Sequence, residues 1–208
     1  MKTDTNKKEV ATQIKNAFEF IQKLYNEASY LIKEIEGQLG ESEYRFQILR
    51  PSGYSVSTKS STGLEANNVS LWLPRKFSVA FVEEEVTELT KGQNFTEINT
   101  QLMVLYFKFK LDEKNLDEPK LIFGVFYNIE KYKDWVKKFE NLMGTLEYVD
   151  NKMFSKFPNI DYIDGTFKLE GKFKMEHLLD INSSLDLKEK VIDPAIKMYE
   201  QIKKFVPK

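Results

Sequence analysis

Only three of the 31 basic residues are arginines, and Arg45, Arg50 and Arg75 all fall between positions 45 and 75. A planar guanidinium grips a phosphate or carboxylate through two parallel hydrogen bonds, a geometry that the lysine ammonium cannot copy. The arginines flank a Ser/Thr-rich stretch, 55–63, and Arg50-Pro51 and Pro74-Arg75 stand at the ends of expected strands. Together with Tyr54, Ser55, Ser57, Thr58 and the loop amides, they are expected to line a pocket for a small anionic ligand. The competing reading has the arginines bridging surface carboxylates beside a merely exposed loop.

A second group comprises Asp161, Asp164, Glu170 and Lys172. A metal-dependent nuclease needs two acidic ligands and a lysine on adjacent strands, and Glu170-Gly171-Lys172 has the E-x-K form. The interval from Asp164 to Glu170 is short for a separate strand, and E-x-K arises by chance in a chain this rich in Glu and Lys. Nuclease or hydrolase chemistry around 161–172 is therefore the alternative reading, and no catalytic residue is assigned.

Other chemistries are narrowed by composition. With no cysteine, disulfides, thiol nucleophiles and thiolate metal sites are excluded. His177 is the only histidine, so multi-histidine metal sites are excluded too, and no G-x-S-x-G turn accompanies it. Glu83, Glu84 and Glu85 are adjacent, so their side chains point to opposite faces of a strand, which suits a solvated strand end better than a cation site. Phosphate-binding glycine loops of the G-x-x-x-x-G-K-[ST] and G-x-G-x-x-G kinds are absent. No metal or cofactor is expected.

A formal charge of -1 lacks the electrostatic footprint of a dedicated duplex-DNA binder. Tyr106, Phe107, Phe109, Phe126 and Tyr127, with Lys108 and Lys110, raise the question of base stacking. Core packing accounts for them better, so nucleic acid is not the expected partner. No apolar window approaches the roughly 18 to 20 residues needed to cross a bilayer, and the N-terminus is polar, so no membrane is expected and the location is read as cytoplasmic.

The elements that must position these residues begin with two aromatic-rich runs near 100–111 and 120–129. Their apolar residues occupy both faces of a strand, the pattern of sheet centre covered on both sides, with Lys108 and Lys110 making one end wet on one face. Gly124 inside the second run implies a bulge or a bulky aromatic neighbour. Ahead of them, Val10, Ile14, Ala17, Ile21, Leu24, Ala28, Leu31 and Ile35 recur at alternating spacings of four and three. This predicts a long amphipathic helix over about 8–36. Its added flank of Phe18, Tyr25 and Ile32 favours packing on its own domain, with a homodimer through this helix, or a subunit role in a larger complex, also open.

Short strands are expected at 43–49, at 54–57, at 69–73 and 77–81 with Pro74 marking an edge, bulge or bend between them, and at 166–173, a middle helix over about 130–143, and a C-terminal helix over about 187–206 that restarts or kinks at Asp193-Pro194. The stretch 146–163 reads as irregular, with Phe154, Phe157 and Pro158 tucked against the body. The fold class is α+β, a mainly antiparallel sheet packed by helices in a single domain, 1–208. The functional expectation is a non-enzymatic binding or interaction module.

Overall fold

A computed structural model describes residues 2–48, 55–56, 76–86, 102–111, 118–131, 156–163 and 167–205. Helix α1 (Lys2–Gly40) is 39 residues long, about 58 Å at 1.5 Å per residue. It outruns the expected 8–36 at both ends. Gly37 does not stop it, because an isolated glycine only weakens a helix and nothing crowds this one. The stop comes past Gly40, where the Leu39 carbonyl accepts the Ser42 N–H, the Ser42 hydroxyl and the Phe46 N–H. Arg45, at φ 47°, supplies the left-handed residue that turns Phe46 back onto the helix end.

Among the described residues the chain then builds an antiparallel sheet of seven strands: β1 (Gln47–Ile48), β2 (Ser55–Val56), β3 (Lys76–Val82), β4 (Val104–Lys110), β5 (Lys120–Lys131), β6 (Asn159–Ile163) and β7 (Phe167–His177). Their order is β1-β3-β4-β5-β7-β6, with β2 also against β3. The two aromatic runs are its centre, as their two-sided apolar pattern requires. In register, Phe107 stands between Val79 and Phe123, and Tyr106 between Ala80 and Gly124.

Alternation divides the core in two. One face of the sheet presents Val79, Phe81, Leu105, Phe107, Phe109, Leu121, Phe123 and Val125, buried beneath Ile32, Ile35 and Leu39 of α1 and the C-terminal helix. On the other face, Ala80, Val104, Tyr106, Ile122 and Phe126 pack with Ile160, Tyr162, Leu169 and Phe173. Lys108, expected to be wet, is only 2% exposed and lies in register between Ser78 and Ile122. The dry zone of this second face extends further along β4 than the lysine suggested.

Three further expectations change. Glu130 and Lys131, where a middle helix was expected to begin, belong to β5, whose pairing with β7 slips between Tyr127 and Glu130 around a left-handed Asn128; positions 132–143 lie outside the described residues. In the stretch read as irregular, Asn159–Ile163 pairs with β7, and Ile160 and Tyr162 are buried between exposed neighbours. Phe157 and Pro158 are exposed rather than tucked in, and Phe154 lies outside the described residues. Of 43–48 only Gln47 and Ile48 pair, although Phe46 is fully buried, and position 49 lies outside the described residues.

The C-terminal helix begins at Ser184, earlier than expected, as α2 (Ser184–Leu187), a π-helical turn (Lys188–Ile192) and α3 (Asp193–Phe205). Its start is written in Ser183-Ser184-Leu185-Asp186: the Ser183 hydroxyl accepts the Asp186 N–H, and the Asp186 carboxylate accepts the Asn182 N–H and the Ser183 hydroxyl. Lys190 at 3.0 Å, then these donors, hold the Asp186 carboxyl below its ordinary value. Asp193 donates its N–H to the Lys188 carbonyl five residues back, and Pro194 follows with no N–H to place. The widened turn thus accommodates the proline that predicted a kink. Replacing the cap, Ser183→Ala, is expected to lower unfolding stability by about 1 kcal/mol in urea titration.

Candidate functional site

Where α1 lies over the sheet, Ala28, Ile32, Ile35 and Leu39 of its stripe are buried. Upstream the same stripe continues without cover: Val10 is 46% exposed, Ile14 54% and Phe18 68%, with Phe20 beside them at 70%. One solvent-facing leucine is unremarkable in a folded protein, whereas large apolar side chains bare at helical spacing mark a contact surface.

The stripe runs into a groove of about 550 Å³. Leu24, Ala28 and Leu31 of α1 form one wall, and Leu178, Ile181 and Leu187 the other, over a floor of Phe109, Leu111 and Pro119. Glu27, Tyr30, Glu34, Ser183 and Ser184 also line it and supply its polar groups. One end is closed by Glu34, which accepts the Ser184 hydroxyl at 2.6 Å and the Gln38 amide at 2.8 Å. Hydrogen bonds from Ser184 first and Gln38 second lower the Glu34 carboxyl below its ordinary value. Such a lining fits apolar side chains flanked by cations. The α1 wall was legible from periodicity; the facing wall was not, although Leu178-Leu179 and Ile181 directly precede the capping motif that places them.

At the far end of the helical layer a polar cluster joins three parts of the chain. Glu83, whose side chain is 12% exposed, accepts hydrogen bonds from the Tyr199 hydroxyl at 2.9 Å and from the Lys203 ammonium. That ammonium sits 4.6 Å from the centre of the Tyr44 ring. Glu84 takes the Arg45 guanidinium at 3.3 Å and the Gln47 amide at 2.9 Å. The expected solvated glutamates are therefore a clamp between the α1–β1 turn, the end of β3 and α3. Burial above all, then the Glu83 carboxylate, pushes the Tyr199 phenol far above its ordinary value; burial first and the Glu43 carboxylate second push Tyr44 up to about 12.

Of the residues expected to hold an anion, Arg45 makes that pair with Glu84. Ser55 stands on β2 opposite Ser78, and Arg50, Tyr54, Ser57, Thr58 and Arg75 lie outside the described residues. Among the late carboxylates, Asp161 pairs in register with Glu170, with Lys172 two residues along on the same face. Asp161 thus stands on a strand adjacent to Glu170; Asp164, whose interval to Glu170 was read as short for a separate strand, lies outside the described residues. Glu170 accepts the Asn128 amide at 3.1 Å. Among the described residues no group of three or more acidic or histidine side chains is arranged to hold a metal ion. His177 Nδ1 is 2.8 Å from the Glu118 carboxylate. No helix among the described residues is long and apolar enough to cross a membrane.

Comparison with family models, with curated proteins and with solved structures gave no match to this chain.

Proposed function

We propose that this chain is a protein-interaction module, not a catalyst, and that it works by receiving a partner helix along the upstream stripe of α1 and the groove that continues it. The observation that carries this reading is the bareness of Val10, Ile14 and Phe18 on a helix whose next turns bury the equivalent positions. An amphipathic helix laid into an apolar groove is read as anchors at i, i+3, i+4 and i+7, and the groove and stripe present that spacing. Fully burying one such exposed side chain is worth about 1.5–3 kcal/mol, against an association cost of about 4 kcal/mol or more, so several must be buried together for stable association.

The test is a photo-crosslinking amino acid placed at Phe18 and, as control, at Glu19 on the opposite face of the same helix, in the whole chain in its own cells. A covalent adduct of one defined mass at Phe18, weak at Glu19 and lost with Ile14→Glu, is expected. Equal labelling at both positions, or none at Phe18, would refute the proposal.

A further inference from the structure

Resting on that reading, we infer that the partner helix is α1 of a second copy, running antiparallel about a two-fold axis near Ile21. The bare stripe, Val10 to Ile21, and the groove wall, Leu24 to Glu34, are consecutive segments of one helix. Twelve residues of stripe rise about 17 Å and eleven of wall about 15 Å, so each fits the other in length. In a two-fold contact the same patch serves both copies and every contact occurs twice. Only an antiparallel arrangement then lays the stripe of each copy in the groove of the other. A parallel pair would set stripe against stripe and leave both grooves unfilled.

Charge selects the same orientation. Residues 2–23 carry five lysines and three carboxylates, whereas residues 24–40 carry one lysine and three carboxylates. Antiparallel pairing brings the basic half of each helix over the acidic half of the other. Parallel pairing sets like against like. Exposed pairs of this kind contribute little affinity, but they decide orientation and register. Opposed helix dipoles act in the same sense.

The absence of cysteine in the native sequence makes the test clean. Light scattering on the full chain is expected to give the mass of a dimer, and Ile14→Lys with Phe18→Lys the mass of a monomer with unchanged helix content. With a short bis-maleimide crosslinker, Ile21→Cys should join to itself. Val10→Cys and Leu31→Cys should each join weakly alone and at least tenfold more when mixed. A monomer at all concentrations, or Val10→Cys joining readily to itself, would overturn the inference. If the chain is monomeric while Phe18 still yields an adduct of another mass, the interaction reading stands and self-association falls. If Phe18 yields none, both fall.

Discussion

Substituting a single methyl group, Gly124→Ala, is expected to cost about 3 kcal/mol or more of folding stability, lowering the melting temperature by roughly 6–12 °C for a chain of this size. A Cβ at this position would stand 2.1 Å from the Lys172 carbonyl oxygen and 2.8 Å from the Phe173 Cα, atoms of the β7 backbone that cannot step aside alone. The methyl therefore has to push β7 off β5. Gly171, diagonally across the same pair of strands, is similarly enclosed, by the Phe173 and Phe126 rings. Each phenylalanine stands opposite the other strand's glycine, Phe173 against Gly124 and Phe126 against Gly171, and the two rings meet at 4.8 Å nearly edge to face. The glycines make room for aromatic cover of the pairing, a known use of rings beside strand glycines. Gly37→Ala provides the opposite control. Nothing lies within 4 Å of a Cβ there, in the last turn of α1, and alanine should stabilise by up to about 1 kcal/mol. Thermal melts of the two variants measure both signs, and an unchanged melting point for Gly124→Ala would refute the account of this packing.

What was legible in the sequence follows from which signals are periodic. The central strands and the long helix declare themselves because many residues repeat one spacing, so single exceptions cannot mislead. Strand β6 was missed since only Ile160 and Tyr162 mark its inner face, two residues being too few to separate alternation from chance. Lys108 misled because a charge predicts water, and burial of a lysine at the edge of a dry zone is decided by tertiary cover. The helix ends were misjudged for a related reason: capping rests on individual hydrogen bonds, such as Ser183 to Asp186, that compete with hydrophobic spacing for attention. As to the candidate site, α1 periodicity gave the stripe but could not say where domain cover ends. That boundary depends on how far the sheet and the C-terminal helix extend, and neither is a property of the α1 sequence. The Glu83 clamp joins residues 116 positions apart in the chain, beyond the reach of any local pattern.

Cutting that clamp, Glu83→Ala, is expected to destabilise by about 1–3 kcal/mol, the cost of a buried polar group left without its partner. Tyr199 is 2% exposed and wedged edge-on against Phe46 at 4.9 Å, with Tyr44 at 5.4 Å, so its hydroxyl cannot swing out to water when the carboxylate is lost. Lys203 is half in solvent and rehydrates at small cost. Glu83→Gln retains an acceptor and should recover most of the loss. In a double-mutant cycle with Tyr199→Phe, the two changes should cost less together than their sum, by about 1 kcal/mol, because each alone strands the other's partner. The same contacts set an alkaline limit. Tyrosines of the unfolded chain ionise near pH ~10, whereas folded Tyr44 holds its proton to about 12 and Tyr199 beyond that. The contribution of these two tyrosines is accordingly constant below pH ~10. Above it, the unfolded chain releases protons that the folded chain retains, so stability falls steadily as pH rises. Phenolate absorbance read against circular dichroism separates the cases: two tyrosines should titrate only as the structure is lost. Their ionisation in a fully folded chain, or an unchanged stability of Glu83→Ala, would show that the clamp does not bind the helix end to the sheet.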